Sequence, residues 1–294
     1  MTYAAASAWT QRSERGSLPL LRLMVWLSLR LGRAPARIVL RLIALYFVVF
    51  ARGSRRASRE FLARSLGRAP TATESYRLFF NFASTLHDRV FFLAGRLQLF
   101  DIEIQGTELL GSGGAFLMGA HLGSFEAIRA AGRGRKVAMA MYPDNARKVN
   151  GVLSTIDPAL QEDIVSLGRP GAMIELRNRL EAGAVVGVLA DRTLADEAVV
   201  EVDFLGHPAR FPTGPMRMAA ALQVPVFFMI GIYRGANRYV IRFERLADFS
   251  MLQDVRRADR DHMVNEAVVQ YARRVEHYAR LAPDNWFNFH RFWT

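Results

Sequence analysis

Short, almost wholly apolar runs recur through the second half of this chain: Ala115–Ala120, Lys136–Met141, Ala184–Leu189 and Val224–Tyr233. Runs of that length and composition read as buried strands. Leu99–Ile104, Ile164–Leu167 and Tyr239–Leu246 add three more. Stretches with helical character separate or flank them: Gly171–Leu180, Pro215–Leu222 and the long Val264–Leu281. Strands alternating with helices predict an α/β fold, a mixed central sheet flanked by helices.

The first 70 residues are different. They hold 13 arginines against only Glu14 and Glu60, a net charge of +11 out of +12 for all 294 residues. The arginines are interleaved with the apolar runs Leu18–Leu31 and Ile38–Ala51. Nucleic-acid arms are rarely so apolar. An arginine-rich amphipathic segment reads as a membrane anchor held to anionic headgroups, at about 1 kcal/mol per basic residue near the surface. The uninterrupted run Leu42–Ala51 is shorter than the roughly 20 residues a span requires. A marginal span, an interfacial helix and a hairpin packed on the domain stay open. The expected division is residues 1–70 as a basic, hydrophobic helical segment and 71–294 as the α/β domain. Helices are predicted over Leu20–Leu31, Pro35–Phe50, Ser58–Ser65 and Glu74–Leu93. On the last, Phe79, Phe82, Leu86 and Val90 recur at helical spacing.

With no cysteine in the chain, thiolate nucleophiles, disulfides and Cys-ligated zinc are excluded. None of the six histidines falls in a metal-binding pattern, and no G-x-G-x-x-G or P-loop is present. The sequence therefore predicts neither metal nor cofactor.

What chemistry the chain offers is at the strand ends, where α/β sheets gather ligands. One apolar run ends at His121, another at Asp191-Arg192. His121 is followed, after four residues, by Glu126. A neutral imidazole backed by a carboxylate is a general base, with Glu126 expected to fix its tautomer. Positions five apart on an ideal helix are separated by about 140°. The two meet only if His121 lies just before the helix, which Leu122-Gly123 permits. The competing reading is that His121 merely caps that helix. Backbone amides near Gly123, helped by an arginine, are the expected oxyanion donors. Arg192, Arg210 and Arg217 are candidates for holding phosphate, weighed against plain solvent-facing charge. Asp191 is a candidate to orient one of them.

These blocks resemble the lysophospholipid acyltransferase superfamily, and within it the late (lauroyl/myristoyl) acyltransferases of lipid A biosynthesis. The resemblance rests on His121-x4-Glu126, on Asp191 after its apolar strand, on Phe204-Leu205-Gly206 through Thr213-Gly214-Pro215, and on the closing Pro283-Asp284-Asn285-Trp286. It covers about residues 10–294. Arg192 stands where a glutamine is usual. The arginine of the family's middle block is represented nearest by Arg169, out of strict register. The ending Asn288-Phe289-His290-Arg291-Phe292-Trp293 is atypical and similar to acyltransferases of aryl-polyene pathways.

The resemblance implies a glycerol-3-phosphate acyltransferase-like fold. It implies transfer of an acyl chain from acyl carrier protein or acyl-CoA to a hydroxyl of a lipid A precursor or related glycolipid. It also implies the bacterial inner membrane as location, with the site facing the cytoplasm. Aryl-polyene lipid, ornithine lipid or lysophospholipid as acceptor, hydrolysis of the thioester by water, and a non-catalytic membrane protein that binds carrier protein or lipid are the alternatives.

Overall fold

The computed structural model describes residues 18–130, 135–142, 151, 153, 155–157, 163–194, 196–252 and 255–293. The arginines Arg12 and Arg15 of the basic segment lie outside them. The chain opens with four helices: α1 (Leu18–Leu31), α2 (Arg33–Phe50), α3 (Arg52–Leu66) and α4 (Ala72–Leu93). Then come β1 (Asp101–Gln105), β2 (Ala115–Gly119), the short α5 (Phe125–Ala130), β3 (Val137–Met141) and β4 (Ile164–Ser166). Next are α6 (Ala172–Glu181), β5 (Val185–Leu189), β6 (Val199–Phe204), β7 (His207–Pro212) and α7 (Gly214–Leu222). The last elements are β8 (Pro225–Tyr233), β9 (Arg238–Asp248) and α8 (Arg257–Leu281).

Among the described residues, seven strands form one sheet in the order β1-β9-β8-β2-β5-β3-β4. All neighbours are parallel except β8 and β9, which form an antiparallel hairpin. The sheet is mixed, as expected. Burial follows from this order. Central β2 is buried at every position and β8 at all but its first, whereas edge β1 alternates exposed and half-buried. A strand covered on both faces has no solvent side, so its sequence carries no alternation.

Two differences from the sequence reading have local causes. The β6–β7 hairpin was not foreseen, because Pro208 and Pro212 lie in β7 and proline argues against a strand. Its two-residue turn, Leu205-Gly206, has φ of 55° and 79°, the left-handed pair a tight hairpin needs. Helix α8 starts at Arg257 and not at Val264. Its first two turns expose polar residues and so lack an apolar period. By contrast α4 starts where a capping box places it, with Thr71 and Glu74 exchanging side-chain and backbone hydrogen bonds.

Helices before residue 70 are in contact with the rest of the chain. In α3, Phe61 and Leu62 are buried, and Phe61 meets the Trp286 ring edge-on at 4.7 Å. Arg33 of α2 makes two hydrogen bonds, at 2.6 and 2.7 Å, to buried Asp88 of α4. Asp88 also accepts from Tyr239 of β9 at 2.7 Å. The outer face of α2 remains bare: Ile38, Leu42, Leu45 and Phe50 are each at least half exposed. Among the described residues no single helix is long and apolar enough to cross a membrane. Helices α2 and α3 together meet the length and composition for one but are bent by 92°.

Candidate active site

The register of β2 against β5 builds the site. Gly119 is opposite Leu189 in a parallel pair, so the chain emerges from both strands at the same edge and at the same height. Two residues further on in each stand His121 and Asp191. Neighbouring strands are about 4.8 Å apart, within reach for two short side chains. His121 Nδ1 lies 2.7 Å from Asp191 Oδ1, and the His121 backbone N–H donates to Oδ2 at 3.0 Å. Trp286, fully buried, donates its indole N–H to the same Oδ2 at 3.0 Å. The Asp191 side chain is 2% exposed, the His121 side chain 28%. The carboxylate is thus enclosed by three donors while one side of the imidazole stays open.

These contacts set the protonation. A carboxylate accepts, so Nδ1 carries the proton and Nε2 keeps its lone pair. Burial lowers the His121 pKa and the charge of Arg192 lowers it further, against the opposing pull of Asp191. Burial alone would raise the Asp191 pKa, but attraction and hydrogen bonding to His121, then Arg192 and Trp286, hold it below the usual range. The pair is therefore a neutral imidazole on an ionised carboxylate at neutral pH.

Glu126 does not take the expected place beside the ring. It is the second residue of α5, 2% exposed, and its Oε1 accepts from Arg89 of α4 at 2.8 Å. Helix α5 packs on α4, and the turn that seats it there carries Glu126 toward α4 and leaves His121 behind on the loop. Two of the amides near Gly123 are already engaged. The Gly123 N–H donates to the Asn285 carbonyl at 2.8 Å and the Ser124 N–H to the Gly231 carbonyl at 2.7 Å. Both are committed, because the loop is laced to its neighbours as a strand would be. What Gly123 supplies is conformation: φ is +78°, and a Cβ would lie 2.1 Å from the Gly231 carbonyl oxygen.

The C-terminal Pro283–Trp286 element explains itself here. Asn285 accepts from the Gly123 N–H through its carbonyl, and its side chain caps the end of β8 by pairing with the N–H and C=O of Tyr233. The Phe287 N–H donates to the His121 carbonyl at 2.8 Å. The residues after α8 thus strap the histidine loop in place. Under β5, Gly187 leaves room for Phe125 at the start of α5; a Cβ there would lie 2.6 Å from its ring.

The arginines separate. Arg192 is half-buried beside the pair, with its own pKa lowered by burial. Arg169 is exposed after β4, two strands from β5 and therefore about 10 Å along the edge. Arg210 is exposed on β7, and Arg217 pairs loosely with Asp261 at 3.3 Å. Among the described residues no group of three or more His, Asp or Glu is placed to hold a metal ion. The partnership of Asp191 and Trp286 with His121 was not legible in the sequence. Its one trace is that both acidic and basic residues follow apolar strands at the same offset.

By its family the chain is an acyltransferase. The chain belongs to the bacterial lipid A biosynthesis acyltransferase family, whose model matches residues 21–294. Among solved structures it is similar to the 1-acyl-sn-glycerophosphate (LPA) acyltransferase PlsC from Thermotoga maritima. The two are 17% identical over 88% of this chain and 96% of that one, with a TM-score of 0.35. No curated protein matches the chain.

Proposed function

We propose that this acyltransferase moves a fatty acyl group from a thioester donor, acyl carrier protein or acyl-CoA, to a hydroxyl of a lipid A precursor or related glycolipid. His121 is the general base. The observation that carries this is the 2.7 Å bond from His121 Nδ1 to Asp191, which leaves Nε2 as the basic atom on the open side of the ring.

Nε2 takes the acceptor's hydroxyl proton as that oxygen attacks the thioester carbonyl. The tetrahedral intermediate collapses, the C–S bond breaks, and the thiolate takes the proton from the imidazolium. The products are an ester and a free thiol, with no electrons exchanged. Asp191 steadies the transient imidazolium, as the third member of a catalytic triad does. Arg192, whose charge acts on His121, is the cation we assign to the developing oxyanion. Glu126 acts at one remove, holding α5 and the loop through Arg89. Arg169 lies far enough along the edge to meet a distal part of the acceptor.

The bare apolar face of α2, among arginines, supports placement on a bilayer. We assign it to the inner membrane with the site on the cytoplasmic side, where thioester donors are.

The test is acyl transfer by the purified protein from acyl carrier protein or acyl-CoA to a lipid A precursor, with the product read by mass spectrometry. Ester formation by the wild type and its loss in His121→Ala are expected. An ester formed equally by His121→Ala removes the base. Thiol release that ignores the acceptor makes the protein a thioesterase.

A further inference from the structure

On the other flank of β2 from Asp191, the same sheet edge holds a cavity of about 880 Å³. Its wall is made by α2, α4, the β8–β9 hairpin, the start of β1 and the segment that ends α8 and follows it. Five arginines line it: Arg37, Arg77, Arg234, Arg238 and Arg242. Three carboxylates, Asp101, Glu103 and Asp284, share the lining, so positive charge is in excess. Among the described residues the guanidinium groups of Arg77, Arg234 and Arg238 have neither a salt bridge nor a hydrogen bond. Arg37 is held in place by the Tyr233 hydroxyl at 2.8 Å and the Ala236 carbonyl at 3.0 Å, with its guanidinium over the Phe80 ring. Arg242 keeps its buried Nε unpartnered while its side chain also interacts with the Tyr278 hydroxyl.

Several unneutralised guanidinium groups lining one cavity fit a phosphate better than a carboxylate, because the three free oxygens of a phosphate monoester can accept from several forks at once where a carboxylate has two. The volume suits a whole headgroup and exceeds what a lone ion fills. The surroundings say what the phosphate is attached to. Arg37 is in the second turn of α2, and the next turns of that helix present Ile38, Leu42 and Leu45 outward. An anionic head in the cavity therefore has an apolar surface beside it for its chains. The cavity also touches the histidine loop through Asn285, which lines it and accepts from the Gly123 N–H. Tyr233, Arg234 and Arg238 end or begin strands one and two places from β2, about 5 to 10 Å along the edge from His121.

We propose that this cavity binds the phosphate-bearing headgroup of an anionic lipid, which places that lipid beside His121. Its role as the acceptor's subsite rests on the acyl-transfer reading; the binding itself does not, and is measured without turnover.

The experiment is flotation of the full chain with vesicles of phosphatidylcholine, with and without phosphatidylglycerol. The variants are Arg234→Gln/Arg238→Gln and, as a control of equal charge on exposed α8, Arg257→Gln/Arg273→Gln. The cavity variant is expected to lose about tenfold or more in affinity for the anionic vesicles, as the loss of charge-assisted hydrogen bonds to a phosphate warrants. The control is expected to change little, and neither to affect neutral vesicles. Equal losses in both double variants overturn the site in favour of general surface charge. An unchanged vesicle affinity with weakened binding of acyl carrier protein overturns it in favour of a protein partner. Inorganic phosphate binding as tightly as the lipid, by calorimetry, overturns the lipid as its source. His121→Ala is expected to bind vesicles as the wild type does, so failure of the site and failure of the base are read separately.

Discussion

His121 and Asp191 are 70 residues apart in the chain and 2.7 Å apart in space, because the strands that carry them are parallel neighbours in register. Glu126, five residues from His121, is engaged elsewhere. The roles of the two carboxylates can be separated by what each loses.

Asp191→Asn keeps the shape but replaces the acceptor facing Nδ1 with a group able to invert the tautomer. We expect turnover to fall by about 10³-fold or more, with little change in acceptor KM. Steady-state kinetics on the folded variant check this; an Asp191→Asn enzyme within a few-fold of wild type removes Asp191 from the mechanism.

Glu126→Ala leaves the Arg89 guanidinium with no carboxylate. Breaking a buried ion pair from one side costs about 3 kcal/mol. Thermal unfolding should show that loss, and Arg89→Met/Glu126→Leu should recover most of it. If stability is unchanged but turnover collapses, Glu126 acts directly in the chemistry.

The rate should follow the lowered pKa of His121. Only the neutral imidazole is a base, so kcat/KM is expected flat from neutral pH downward until below the usual histidine value, then to decline with acid. Arg192→Gln removes one of the two causes of the shift and should move the acid limb to higher pH. A limb that does not move separates Arg192 from the base.

His87 is a buried imidazole with a structural role. Ser28 Oγ donates to the Met24 carbonyl, so it accepts from His87 Nε2–H at 2.8 Å, and Nδ1 makes no hydrogen bond, with Asp88 Oδ1 3.8 Å away. Burial, then Arg33 and Arg37 acting against Asp88, lowers its pKa to about 4. The fold therefore favours the neutral form. Its contribution is intact above about pH 6.5 and is lost as pH falls toward 4, by about 3 kcal/mol. Denaturant titrations across that window should be steeper in pH for the wild type than for His87→Gln. Parallel curves would show that His87 titrates normally.

Gly123→Ala puts a methyl group against the Gly231 carbonyl at a positive φ. A loss on the order of 3 kcal/mol, or failure to fold, is expected. A variant with unchanged melting temperature would mean that the loop is free to move away from β8.

Leu42→Asp/Leu45→Asp on the bare face of α2 should shift the protein from the membrane pellet to the supernatant by about tenfold or more, given the apolar area withdrawn from lipid. The folded domain should melt unchanged in detergent. Retention in the pellet would place the membrane contact on another face.

The amino-acid sequence by itself determined the strands of the seven-stranded sheet, since runs such as Ala115–Gly119 and Val185–Leu189 are apolar enough to be buried whatever their neighbours. It determined the helical N-terminus, the basic charge there, and the histidine at a strand end. These are local properties, carried by composition and period within one segment. Only the tertiary structure decided that β2 lies beside β5, and hence that Asp191 and not Glu126 supports His121. Pairing of parallel strands is a contact between distant segments, and nothing in either strand's own residues records which neighbour it takes. The same holds for Trp286, whose indole reaches Asp191 only because the chain returns after α8 to cross the histidine loop. It holds too for the arginine cavity, assembled from several distant segments of which none looks like a site alone.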